Sequence, residues 1–425
     1  MPVTYAIRIV ALLLMFSISK VYGADGYQQT ANDLLSDERV QKAINFLAQS
    51  RERTRSDLVT LSEIPAPPFK EKARGLKFSA MLREAGLVDV TIDNIGNVLG
   101  RRPGRNERKL IAYSAHLDTV FPEGTDVSVS IKGNRMYGPG IGDNAQGLVQ
   151  VLEIVRALNF SGIETEADIL FVANVGEEGL GDLRGIKYLI DNNDIDALIA
   201  IDGGSPERIV FGGVGSHRYR VTFKGPGGHS WGAFGTVNPH HVLGRAIEKF
   251  ITRADPFSAY GETSYSIGRI GGGISVNSIP FESWFEVDMR SATQVNLDRL
   301  DAFLHHAIEE AIEEENTLAL EKNIRRDPIE VDIKRVGKRP AAAGNMKDPL
   351  VRQSIAATRA FGFEPKLRLS STDANYPLSI GIPAVTLSRG GKGEGAHTLE
   401  EWLDPRDAYI ATQIGLLTLL SASGL

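Results

Sequence analysis

A chain of 425 residues exceeds one ordinary domain, so two are expected. Hydrophobic residues at 42% and charged residues at 24% are globular proportions, and a net charge of −6 with no long basic run argues against a nucleic-acid partner. Cysteine is absent, which excludes disulfides, thiolate ligands, a cysteine nucleophile and a lipid-modified cysteine anchor, so a bound metal would rest on histidines and carboxylates.

The first residues read as an export signal. Arg8 supplies charge, Ile9 to Ile18 is an apolar run too short to span a bilayer, and Val21-Tyr22-Gly23 before Ala24 resembles a small-residue cleavage site. Residues 1–23 are expected to be removed, leaving an exported protein, periplasmic or extracellular, without membrane attachment after cleavage; no later segment is apolar and long enough for a transmembrane helix. Ala24 to Asn32 is polar and reads as loose. Val40, Ile44 and Leu47 repeat at helical spacing, with Ser36 or Asp37 placed to cap. Ile64-Pro65-Ala66-Pro67-Pro68 breaks that pattern. A second helix is expected from about Glu71 to Ala85 with Gly86 in the helix-ending position, then short strands at Val88–Ile92 and Asn97–Leu99.

Leu110, Ile111, Ala112 and Tyr113 read as a buried strand running into His116 and Asp118. Residues two apart on extended backbone point to the same side, which suits a metal-binding imidazole and a carboxylate that holds its other ring nitrogen. A glycine-rich loop, Gly133 to Gly147, carries Asp143, and Leu148, Val151, Leu152, Val155 and Leu158 then make an amphipathic helix. Asp168 to Asn174 is a buried strand before Glu177-Glu178, Ala197 to Ile201 ends at Asp202, and Ala384 to Leu387 precedes His397. Strands alternating with helices imply a mostly parallel α/β sheet, and open sheets of that kind place their sites beyond the carboxyl ends of the strands.

Gly212 to Val336 reads differently. It offers a strand at Tyr219–Phe223, a helix from about Asn238 to Ile251, strands at Thr263–Ile270 and Glu282–Met289, a long acidic helix from Val295 to Glu315, and a strand at Ile329–Ile333. That β-α-β-β-α-β order describes an α+β domain inserted at 212–336, dividing a catalytic domain into 24–211 and 337–425. The run Glu309 to Glu315 reads as a solvated helix face.

His116, Asp143, Glu177, Glu178, Asp202 and His397 form a donor set suited to zinc, and also to manganese or cobalt. One metal alone would not use so many ligands. Two sharing a bridging carboxylate would, and paired metals activate a water and hold the oxygens of a tetrahedral transition state. Adjacent Glu177 and Glu178 diverge on extended backbone, so one can bind metal while the other acts as general base.

The stretches SAHLDTV, GPGIGDNAQG, NVGEEGLGDLRG, IDGG, GGHS, SVNSIP, STDAN and GAHTLEEW run in order across nearly the whole mature chain. In them the chain resembles the di-zinc exopeptidase family of peptidase T, glutamate carboxypeptidase, aminoacylase and acetylornithine deacetylase, most of all its peptidase T-like members. The resemblance implies that Asp143 bridges two Zn2+ per subunit, with His116 and Asp202 completing one site and Glu178 and His397 the other. It makes Glu177 the general base and Asp118 the residue that orients His116, and it implies a cis peptide bond after Asp143. It also implies a homodimer formed through the inserted domain, with His229 stabilising the oxyanion in another subunit's site and with Asn277 and Arg290 touching substrate. Thr372 and Asp373 are further pocket candidates, while His240-His241 and His305-His306 read as surface. The implied activity is hydrolysis of an amide bond in a short peptide, of the di- or tripeptide aminopeptidase type. The alternatives are an N-acyl amino acid amidohydrolase or a carboxypeptidase and, more remotely, an inactive peptide-binding relative.

Overall fold

The computed structural model describes residues 26–106, 109–258, 263–322 and 327–425. The expected signal segment and its Gly23–Ala24 junction lie outside the described residues. Among the described residues, no helix is long and apolar enough to cross a membrane.

Three apolar strands organise the larger part. Leu110–His116, Asp168–Asn174 and Ala197–Asp202 are buried along nearly their whole length, so both faces of their sheet must be covered. Leu110–His116 lies between the other two and pairs in parallel with each, and Ala384–Ser388 adds in parallel beyond Ala197–Asp202. The edges turn antiparallel. Val98–Arg102 and then Asp89–Ile92 close one side; Arg208–Gly213, with Lys366–Ser370 parallel to it, closes the other, completing an eight-stranded sheet. The register sets His116 beside Asn174 and Ser388 beside Asp202. The carboxyl ends of the central strands therefore reach one edge together.

The helix Gln146–Ser161 was expected to be amphipathic, yet it is buried almost all round. The helices Glu38–Ala48, Arg51–Ser62 and Ala408–Ser423 pack over the side that would have faced water. Its buried Glu153 is offset by Arg53 and Arg156, each at 2.8 Å. Asp37 caps the helix Glu38–Ala48 by accepting the amides of Arg39 and Val40. A second correction concerns the start of the described chain. Gly26–Ser36 is a helix, not loose chain, because Ala31 and Leu34 are buried where it packs on the helix Pro349–Ala360.

After Gly213 the chain changes sheets across the single residue Val214. Gly215–Lys224, Thr263–Gly272, Glu282–Ser291 and Glu330–Arg339 form a four-stranded antiparallel sheet with its own core, which includes Val221, Phe223, Val242, Phe250, Phe285 and Leu304. Strict alternation of burial along Glu282–Ser291 marks a sheet with one covered face, and the helices Pro239–Ser258 and Gln294–Lys322 supply the cover. The acidic run on the second helix is not simply solvated. Arg245, Lys249 and Arg253, spaced by one helical turn on the facing helix, pair with Glu315, Glu314 and Glu310, and Glu315 is buried.

Candidate metal centre

His116 ends its strand fully buried, with Nδ1 3.0 Å from the backbone carbonyl of Asp118. That bond places the proton on Nδ1 and leaves a lone pair on Nε2. Nε2 lies 3.1 Å from Asp143 Oδ1, and both atoms are buried without a hydrogen-bond partner. With the ring neutral, two electron-pair donors face each other at that distance and repel, so the pair calls for positive charge between them, a proton on the ring or a bound cation. The orienting role expected of the Asp118 carboxylate needs correction. Its nearer oxygen is 3.8 Å from Nδ1, and the carboxylate instead accepts the amides of Glu177 at 3.0 Å and Glu178 at 2.7 Å. Backbone geometry explains this: the carbonyl of Asp118 is already within reach of the ring, which frees the side chain to hold the neighbouring loop.

Asp143 arrives on the turn Ile141–Ala145, entered through Gly140 at φ 79°, and the Asp143–Asn144 peptide bond is cis. Its second oxygen lies 3.2 Å from His397 Nε2, so one carboxylate stands between the two imidazoles. His397 Nε2 is also 3.1 Å from Glu178 Oε1. Three donor groups result, each with its ligand atoms within 4.8 Å of one another: His116, Asp143 and Asp202; Asp143, Glu178 and His397; and His116, Glu177 and Glu178.

The electrostatics also call for positive charge. Bonds to Asp143 and Glu178 raise His397 to about 10. Burial opposes charge on His116, yet Asp143, Glu177 and Asp118 together raise it well above its ordinary value. Burial likewise opposes ionisation of Asp143, but the two imidazoles hold it well below the usual carboxylate range. Burial pushes Glu178 up, and the charges of Glu177 and Asp143 push it further. Carboxylates crowded this closely are the environment in which bound cations are most stabilising.

Several residues at the centre were not singled out from the sequence. Arg339, the last residue of the second sheet's closing strand, is buried; its Nη1 lies 2.9 Å from Glu177 Oε1 and 3.0 Å from Ser371 Oγ, and its Nη2 donates to the Glu177 carbonyl. Asn174 donates to Asp373 at 2.8 Å, behind Glu177. Glu401 binds the amides of the Asp143 turn. A charged residue at a strand end and an acid beside His397 are the only local signals for Arg339 and Glu401.

Of the other candidates, Asp373 lies within electrostatic reach of Glu177, and His229, Asn277 and Arg290, among the described residues, make no hydrogen bond or ion pair to the cluster. Thr372 is buried and bonded to Thr386, and Asp373 is pushed up to about 8 by burial and by the charge of Glu177. His229 is exposed, its Nδ1 accepting the amide of Trp231 at 3.2 Å, on a short strand paired with Ser278–Ile279. Asn277 accepts from Ser275 Oγ at 2.6 Å, and Arg290 donates to Asp288 at 2.8 Å. His240, His241 and His306 are exposed, and His305 is half-buried edge-on against Tyr219.

The sequence profile of Peptidase family M20/M25/M40 matches residues 112–421. The chain belongs to this family. Carboxypeptidase G2 of Pseudomonas sp. is 25% identical over 336 residues, which cover 75% of this chain and 76% of that protein. Aminopeptidase PepT of Bacillus cereus shares the fold with a TM-score of 0.69 at 21% identity, covering 88% of this chain and 99% of its own. So does the YXEP protein of Bacillus subtilis, a dinuclear metal-binding peptidase of the M20 family, with a TM-score of 0.62 at 16% identity, over 88% of this chain and 99% of its own. The parallel-rich sheet with a second antiparallel sheet is thus the M20 architecture, and the protein is an M20 metallohydrolase with a candidate metal-ligand cluster.

Proposed function

We propose that this M20 metallohydrolase is a di-zinc exopeptidase that cleaves an amide bond in di- or tripeptides after export. The observation that carries the metal reading is the Asp143 carboxylate set between His116 and His397 with buried, unpartnered donor atoms. Asp143 would bridge, His116 and Asp202 would complete one site, and Glu178 and His397 the other; manganese or cobalt suits the same donors. When bound, such a pair supplies an acidified water, with a pKa near ~7 in the zinc case, and polarises the scissile carbonyl. Glu177 takes the proton released by the attacking water and delivers it to the departing amine nitrogen, leaving the carboxylate as it began. Arg339 keeps the Glu177 carboxylate aimed, and the amides on Asp118 hold the backbone of Glu177 and Glu178.

In the dimeric assembly proposed here, His229 from a partner subunit donates to the oxyanion, while Asn277 and Arg290 orient the substrate; Arg290 suits a substrate carboxylate. A second reading, an N-acyl amino acid hydrolase or carboxypeptidase, draws on the similarity to carboxypeptidase G2. Purified protein assayed against free, N-acylated and C-amidated short peptides separates the two. Cleavage that requires a free amine supports the aminopeptidase, and cleavage of N-acylated substrates alone overturns it. Chelation should abolish hydrolysis, and zinc, cobalt or manganese should restore it. For export, N-terminal sequencing of the secreted protein should begin at or near Ala24.

A further inference from the structure

A turn that presents Asp143 to two imidazoles must leave several backbone amides pointing inward, and each needs an acceptor. One carboxylate takes three of them, while the Ile141 and Ala145 amides bond to carbonyls of the turn itself. Gly140 N lies 2.7 Å from Glu401 Oε2, and Gly142 N and Asp143 N each lie 2.9 Å from Glu401 Oε1. The backbone carbonyl of Glu401 accepts a fourth, from Gly138 at 3.0 Å. Glu401 is only 1% exposed. It directly precedes the strand Trp402–Asp404, which pairs with Arg135–Tyr137 on the approach to the same turn.

The space beside Gly142 is equally constrained. A Cβ added to Gly142 would come within 2.6 Å of Arg389 Nη2 and 2.8 Å of Glu401 Oε1. Arg389 is itself buried, and its backbone amide donates to the Asp202 carbonyl at 2.8 Å. The carboxylate that collects the amides and a buried guanidinium thus crowd the same face of Gly142, where an added side chain would have to displace one of them. Four residues before Glu401 in the chain stands His397.

We propose that Glu401 is the positioning residue of the metal centre, setting the direction of the Asp143 carboxylate between His116 and His397 and thereby the affinity of both metal sites. The inference rests on the two-metal reading above and adds a prediction that reading lacks. A fault in His397 or Asp202 damages one site, whereas a fault in Glu401 acts through the shared carboxylate and damages both. Glutamine at this position offers one acceptor oxygen, and its NH2 faces amide donors, so it cannot hold the turn as the carboxylate does.

The test is cobalt binding to the full-length protein, followed by absorption spectroscopy and competition with a chelator, for wild type, Glu401→Gln and the exposed neighbour Glu400→Gln. Orienting groups outside the ligand sphere typically tune metal affinity by about 10–100-fold. Glu401→Gln should weaken both cobalt equivalents by about that factor and alter the cobalt spectrum, and Glu400→Gln should match wild type. A purely structural role would lower the melting temperature of the metal-free protein and leave affinities and spectrum unchanged. If Glu401→Gln fails to fold, Gly142→Ala decides in the same way, because its methyl group pushes the turn off the carboxylate without changing charge. Unchanged affinities, or loss of one cobalt with the other at wild-type strength, overturn the inference. If wild type itself fails to bind two cobalt ions, the two-metal reading has failed and the inference falls with it, on a result that no variant enters.

Discussion

Replacing Arg339 by methionine leaves Glu177 as a buried carboxylate stripped of its cation. Arg339 is 4% exposed and Glu177 5%, and their charged atoms are 2.9 Å apart. At that separation an effective dielectric of about 20 gives a gross attraction of about 6 kcal/mol. Both groups have already lost hydration, so the net value of the pair is much smaller than the gross figure. The cost of removing one member is nonetheless about 3–5 kcal/mol, because the other stays buried and unpaired. Burial opposes charge on Arg339, yet Glu177, Glu178, Asp373 and Asp182 hold its pKa above the ordinary arginine value, so the guanidinium serves a whole acidic cluster. The assay is a double-mutant cycle on the metal-free protein, read by denaturant unfolding of wild type, Arg339→Met, Glu177→Gln and the double variant. Arg339→Met should be destabilised by about 3–5 kcal/mol, and the double variant should be more stable than the sum of the single effects predicts. Additivity to within about 0.5 kcal/mol would show that the two side chains do not act on each other, and the clamp on Glu177 would have to be abandoned.

Glu177→Gln should retain normal metal content and lose about 10²–10⁴-fold in turnover, whereas Glu178→Gln should lose metal; elemental analysis showing the reverse pattern would exchange the two assignments. His229→Ala should keep metal and assembly while turnover falls by about 10²–10³-fold. Mixing it with inactive Glu177→Ala should restore activity once subunits exchange, since a mixed dimer holds one intact composite site, and a mixture that stays inactive after proven exchange refutes action from the partner subunit. Asp373 supplies a pH test. Burial and Glu177 push it up to about 8 from an ordinary 3.8, so between those values the native protein holds a proton that the unfolded chain has released. The stability of the metal-free protein therefore contains a contribution that falls as pH rises through that window, and Asp373→Asn should make the decline shallower; an identical slope removes Asp373 as its source.

The alternation of strands and helices, the second sheet's β-α-β-β-α-β order, and the gathering of His116, Asp143, Glu178, Asp202 and His397 near strand ends were legible from residue type and local periodicity. For His116, Glu178 and Asp202 the reason is geometric: parallel strands in one sheet bring their carboxyl ends to one edge, so donors placed just after them converge, whereas Asp143 and His397 arrive on loops. Local pattern failed where burial is imposed from a distance. Gly26–Ser36 is helical because Pro349–Ala360 covers it, Gln146–Ser161 lost its expected polar side to three other helices, and the acidic run at Glu310, Glu314 and Glu315 found cations on a neighbouring helix. The holding groups of the site were hidden for the same reason. Arg339 meets Glu177 across 162 residues, and Glu401 meets Gly140 across 261. Even the partner of His116 Nδ1, backbone carbonyl in place of carboxylate, turned on a difference of less than 1 Å, from 3.0 to 3.8 Å. Residue type and order specify which groups can bind a metal; which groups hold them in place is a matter of distance in space, and only the packed chain sets it.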